Sequence, residues 1–131
     1  MTVFTLLNLL PELKVAICHL ASPWDQSPES FERWRRAMMQ FATLPNCTMK
    51  ISGFSMFNHG MNKEKFKLYA HSAIEIFGAQ RCMFGSNFPV DKLYISYQAL
   101  FSLWQEIVAQ YNPYEAHCLR YETANRFYQL N

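Results

Sequence analysis

Five residues with the chemistry of a reaction centre stand at or near the ends of three apolar runs. His19 lies at the end of "KVAICHL" (Lys14 to Leu20). Lys50 and Ser52 lie in "TMKISGF" (Thr48 to Phe54), and Ser86 and Asn87 in "RCMFGSNF" (Arg81 to Phe88). An imidazole binds metal or moves a proton near neutral pH, an ammonium neutralises an anion, and hydroxyls and carboxamides hold polar substrates by hydrogen bonds. His19 has two readings. It is a metal ligand or general base, or it is a histidine packed and hydrogen-bonded at a strand end. Lys50 is foreign to an apolar strand. It either points into a barrel-like interior towards a substrate anion or runs its stem past a neighbouring helix. His59, in the loop "MFNHGMN", is close enough in sequence to reach the same region. His71 reads as structural, and His117 lies on the last helix, away from the others.

The elements that must position these residues follow from spacing. The three runs begin at residues 14, 48 and 81, and each is short and bounded by turn formers, as strands are. Helical patterns fill the gaps. Ser27 is placed to cap, and Pro28 to open, a helix carrying Phe31, Trp34, Met38 and Phe41. Asn62 caps a second, with Phe66, Ala70, Ala73, Ile74 and Phe77 on one face and Gly78 as its stop. Ile95, Ala99, Leu103, Ile107 and Tyr111 mark a third, ending near Asn112. Asn112 then caps a fourth, with Pro113 first, Glu115 closing a capping box, and Ala116, Leu119, Thr123 and Phe127 inside. Phe4 to Leu10 resembles the end of one more helix. Strand alternating with helix predicts right-handed parallel units in one domain. Ligands of such sheets bind at the carboxyl ends of the strands, where the polar residues fall.

Composition narrows the class. Half of the 131 residues are hydrophobic and 17% are charged, which suits a folded core and not a disordered chain. A formal charge of +2 is too small for a nucleic-acid partner, and "RWRR" (Arg33 to Arg36) fits a solvated helix face. The cysteines, at 18, 47, 82 and 118, form no C-x-x-C pair. Cys18 and Cys82 fall in predicted strands as small hydrophobes, so a reduced, cytoplasmic protein without disulfides or a zinc ribbon is expected. "VFTLLNLL" is too short to span a bilayer and lacks a basic leader, so neither a membrane partner nor a signal peptide is expected. No Gly-rich phosphate loop follows any strand, which disfavours a small flavodoxin-like binding domain.

"CHLASPW", "NCTMKISGF", "FGAQRCMFGSNFPVD" and "ANRFYQL" resemble, in order and spacing, segments of the second amidohydrolase-related family. These are metal-dependent hydrolases of the TIM-barrel fold, among them sugar lactonases and the pyrone-dicarboxylate lactonase. The resemblance runs from Val15 to Leu130. It implies an α/β fold of parallel β/α units corresponding to strands six to eight, the C-terminal half of a (β/α)8 barrel, with residues 1–131 as a single half-barrel domain. A whole barrel has eight strands and about 250 residues. The family's His-x-His motif has no counterpart in this sequence.

The resemblance further implies a hydrolase acting on a small lactone or related cyclic ester, with a divalent metal such as zinc. His19 and Asn87 would be its catalytic groups, and His19 also a metal ligand. Lys50, Ser52, Ser86, Phe88 and Trp24 would contact a small-molecule substrate. Asn87 stands where family members commonly have aspartate. An amide cannot serve as a base near neutral pH; Asp91, four residues on, could in principle substitute but lies beyond Pro89. The chain alone is therefore expected to be weakly active or inactive, the other reading being a non-catalytic fragment or binding remnant. Open strand edges, and inward side chains such as Ile17, Ile51 and Met83, are expected to drive homo-oligomer formation or pairing with an N-terminal half.

Overall fold

In the computed structural model, which describes residues 1–130, the three apolar runs form a parallel sheet in the order β1-β2-β3. The strands are β1 (Val15–Ile17), β2 (Cys47–Ile51) and β3 (Cys82–Phe84), shorter than the runs that contain them. The pairs Ala16–Thr48 and Ile17–Met49 set the first register, and Met49–Cys82 and Lys50–Met83 the second. All three strands therefore end at one rim.

Crossover helices return the chain between strands. Helix α1 (Val3–Leu9) precedes β1, α2 (Pro28–Ala42) links β1 to β2, and α3 (Phe54–Asn58) with α4 (Lys63–Phe77) links β2 to β3. After β3 come α5 (Tyr97–Val108), α6 (Pro113–His117) and α7 (Thr123–Tyr128), the last two joined through a wide π-type turn at Cys118–Glu122. The caps are those the sequence announces. Ser27, Asn62 and Asn112 accept the amides of Ser30, Lys65 and Glu115, and Glu115 closes the capping box. Helix α5 differs from the expectation. Ser96 caps it, so Ile95 is buried just before it, and Tyr111 packs beyond its end.

Two strand expectations need correction. Strand β1 stops at Ile17, and Cys18 lies outside it and is exposed, so it is not a buried strand residue. The phase of the side chains also differs. The Cys82 thiol approaches the Ala73 carbonyl of α4, so Met49 and Cys82 face the helices. By alternation Ile17 and Ile51 face the helices too, and Ala16, Thr48, Lys50 and Met83 line the other face. Ile51 is fully buried, and Met83 is buried although it lies on the face away from α4. That inner face is more polar than the sequence suggested.

At the opposite end of the sheet Arg81 ties two helix ends together. Its guanidinium donates to the carbonyls of Phe77 (3.1 Å), Leu44 (3.1 Å) and Ala42 (3.0 Å), which close α4 and α2. Among the described residues no helix is long and apolar enough to cross a membrane.

Two outcomes follow for stability. Arg81→Ala should lower the unfolding free energy by about 1–3 kcal/mol, because it orphans helix-terminal carbonyls, and Asn112→Ala by about 1 kcal/mol through a lost cap. Urea midpoints compare them, and equal losses would contradict the ranking. His71 contacts the Tyr111 hydroxyl at 2.6 Å, and its Nε2 is buried without a partner. Burial, and secondarily Lys67, hold its pKa below the ordinary 6.5. The unfolded chain thus takes up a proton before the folded one does. Stability should fall as pH drops below about 6.5, with a shallower fall in His71→Phe.

Candidate functional site

The rim is built where β1 and β2 release the chain. After Ile17, residues His19, Leu20, Ala21 and Ser22 all take left-handed backbone angles, with φ between 52° and 58°. Such angles cost a non-glycine residue about 1–2 kcal/mol each and persist only when surroundings impose them. Two interactions do so: Leu20 is fully buried, and the Trp34 indole donates to its carbonyl at 2.7 Å. The turn lifts His19 over the end of β2, where Nδ1 meets the Ser52 hydroxyl at 2.8 Å.

Gly53 makes that approach possible. Its φ is +66°, and a Cβ there would lie 2.7 Å from His19 Nδ1 and 3.3 Å from Asn87 Nδ2. One backbone position therefore touches the catalytic candidates from both the first and the third strand. Ser52 is buried and its hydroxyl engages the histidine. If Nδ1–H donates to Ser52, Nε2 is left as the basic, metal-ligating nitrogen; the reverse tautomer makes Nε2 a donor.

From β3, Asn87 also takes a left-handed angle, with φ of 54°. Its Nδ2 donates to Asp91 Oδ1 at 2.8 Å and lies 3.8 Å from Met56 Sδ. Asp91 is returned under the rim by the short helical turn Val90–Leu93 and is almost completely buried. From the sequence, Asp91 could in principle substitute for a carboxylate at position 87 although it lies beyond Pro89; in the structure it contacts Asn87 directly. Its burial depends on that turn, which no local periodicity announces.

The other candidates spread around this centre. Lys50 points from the inner face, and its ammonium contacts the Tyr128 hydroxyl at 3.3 Å and lies 5.5 Å from the centre of that ring. This is the interior-facing alternative of its two readings. The Ser86 hydroxyl accepts the Phe88 amide at 3.2 Å, shaping the turn. Phe88 packs edge-on against Tyr97, and Trp24, 67% exposed, packs against Phe57. His59 stacks on Tyr94. The void behind the rim, lined by Ser52, Gly53, Phe54, Asp91 and Trp104, is too tight for a water molecule.

A catalytic zinc takes about three protein ligands. Among the described residues no three His, Cys, Asp or Glu side chains gather closely enough to hold one, so the groups present do not fit a complete metal centre.

Gly53→Ala should therefore disrupt the site more than Gly85→Ala. The first adds about 1–2 kcal/mol of left-handed strain and displaces the imidazole. The second needs no left-handed angle; it meets the Lys50 Cε at 2.8 Å, a flexible side chain that can withdraw, and the Ser52 Cβ at 3.2 Å, where a shift of a few tenths of an ångström suffices. Thermal midpoints, with the His19 ring signals in NMR spectra, measure both effects, and an unmoved His19 ring in Gly53→Ala would refute the crowding.

Comparisons with known proteins agree with this fold. A family model described as amidohydrolase matches residues 5–130. The y4mH protein of Sinorhizobium fredii is 38% identical over 120 residues, covering 92% of this chain and 40% of that protein. An L-fucono-1,5-lactonase of Burkholderia multivorans is 32% identical over 116 residues, covering 82% of this chain and 38% of that protein. The crystal structure of an amidohydrolase from Burkholderia multivorans with bound HEPES superposes with a TM-score of 0.89 at 27% identity, over 97% of this chain and 48% of that one. A crystal structure with bound zinc, also of an amidohydrolase from Burkholderia multivorans, has the same TM-score at 26% identity and the same coverage. The chain thus spans less than half the length of these relatives, and its sheet is part of a TIM barrel.

Proposed function

The chain belongs to the amidohydrolase family, and from that premise we propose that it supplies part of the active-site rim of a hydrolase acting on a small lactone or related cyclic ester. The observation that carries this reading is the convergence of His19 and Asn87 on Gly53 at the carboxyl ends of parallel strands. Water adds to the lactone carbonyl, the ring C–O bond breaks, and a hydroxy acid results. His19 Nε2 takes the proton from the attacking water while Ser52 holds Nδ1. Lys50, on the inner face, attracts an anionic group of the substrate or product. Trp24, Ser86 and Phe88 border the approach. The lactonase names among the relatives support the substrate class.

The proposal includes a partner. The sheet has two edge strands, β1 and β3, and the chain exposes apolar side chains such as Val3, Leu6 and Leu9 on α1 and Tyr97 and Phe101 on α5. A complementary β/α segment, contributed by further polypeptide or by a second copy, would pair both edges and cover these faces. It would also bring the metal ligands this chain lacks, a divalent ion such as zinc being the cofactor proposed for the completed barrel. The second reading, a non-catalytic remnant, is favoured by Asn87 in the place where the family commonly has aspartate.

Hydrolysis of L-fucono-1,5-lactone, followed by acid release, tests the reading. In the assembled protein, turnover should fall about 10²–10⁴-fold in His19→Ala. The 131-residue chain alone should lose zinc on dialysis, turn over little lactone, and sediment at micromolar concentration as an assembly. A compact monomer that retains one zinc and hydrolyses the lactone would overturn the incomplete-site argument. Full turnover in His19→Ala would overturn the proposed base.

A further inference from the structure

We infer that Asp91 is a positioning residue for Asn87. It holds the amide so that the carbonyl oxygen, Oδ1, is presented to the substrate side of the rim. This rests on the hydrolase reading above for its chemistry, but its geometry stands independently.

The argument begins with the carboxylate. Asp91 is 1% exposed, and its side chain has one hydrogen-bond partner among the described residues, Asn87 Nδ2 at 2.8 Å. The void beside it admits no water, so internal solvation cannot substitute for that bond. A buried carboxylate is costly unless hydrogen-bonded, which makes the contact with Asn87 a strong constraint on both residues.

A carboxylate only accepts, so the amide must turn its NH2 group towards Asp91. The planar amide then directs Oδ1 away. Among the described residues Oδ1 has no hydrogen-bond partner, and it is absent from the buried polar atoms that lack one. It is therefore open to a ligand. Gly53 bounds Nδ2 on one side and Met56 Sδ on another, so rotation of the amide is restricted.

The two hydrogen bonds, Ser52 to His19 and Asp91 to Asn87, play parallel parts. Each engages the inner end of a polar group and leaves the outer end free. Here the rim carries a neutral acceptor, and the negative charge sits one layer behind it. Such an acceptor suits a donor on the substrate or the attacking water. Asn87 is the group that touches the substrate, and Asp91 acts through it.

Two measurements test the inference on separate grounds. The first is NMR hydrogen exchange of the Asn87 side-chain NH2 in the 15N-labelled chain. Slow exchange in the wild type should be lost in Asp91→Leu, which removes the acceptor at similar volume, and retained in Asp91→Asn, which keeps one. Equal exchange in wild type and Asp91→Leu overturns the inference. The second is lactone turnover in the assembled protein. Asp91→Leu should lower kcat by about 10–100-fold, as loss of a supporting hydrogen bond does, with KM changed much less. The reciprocal pair Asn87→Asp with Asp91→Asn, which restores one carboxylate and one amide in contact, should fold with a thermal midpoint near the wild type. Unchanged kcat in a folded Asp91→Leu overturns the inference. Absence of turnover in the wild type, with the exchange difference present, refutes the hydrolase reading and leaves the positioning role supported.

Discussion

The rim depends on the absence of one carbon atom. Gly53 turns the chain from β2 into α3 at a positive φ, and the space where a Cβ would stand is taken by the His19 ring on one side and approached by the Asn87 amide on the other. The first and third strands flank the second, so their rim residues meet only across its end. A side chain at Gly53 would keep them apart. The left-handed turn at His19–Ser22 follows from the same contact. It is strained by about 1–2 kcal/mol per residue, and the buried Leu20, its carbonyl bonded to Trp34, and the His19–Ser52 bond together hold it.

Much of this architecture was legible because its signals are local. Ser27 with Pro28, Asn62, and Asn112 with Pro113 and Glu115 each announce a helix start within four residues, and all three caps form. The parallel order followed from strand-like runs separated by helices long enough to cross over. Features set by distant partners were not legible. Nothing in "CHLAS" predicts four left-handed residues, since it has no glycine or asparagine; Trp34 and Ser52 impose them. Alternation says that neighbouring side chains oppose one another, but it does not say which face is inner. The packing of Cys82 against α4 decides that, and it sends Ile17 and Ile51 to the helices. Spacing alone left Asp91 as a possible substitute for a carboxylate at position 87, and its contact with Asn87 depends on the turn at Val90–Leu93.

Asn87 and Asp91 are consistent with each other in a way neither is alone. Carboxylates at both positions would meet at hydrogen-bond distance, where like charges disfavour joint ionisation. Amides at both would place no full charge at the rim. One of each gives a donor facing an acceptor at 2.8 Å. The departure from the family's aspartate is therefore accompanied by a carboxylate in contact with the same spot, on the inner side. In the proposed reaction, proton transfer at the rim would then fall to His19, and the amide would serve recognition and orientation.

The polar inner face changes the balance of forces on association. Thr48 and Lys50 lie on the inner face, while Ile17 and Ile51, expected there, are turned to the helices. Less apolar area is thus available on that face to drive collapse onto a partner. Exposed apolar side chains are spread over several helices, among them Val3, Leu6 and Leu9 on α1, Met39 on α2, Leu68 on α4 and Tyr97 and Phe101 on α5. The lumen would stay hydrated enough for Lys50 to exchange Tyr128 for a substrate anion. In a lumen lined by apolar residues, moving that ammonium between partners would carry a large desolvation cost. In the proposed barrel the same polar residues would weaken association across the inner face and leave the cation free to meet a ligand.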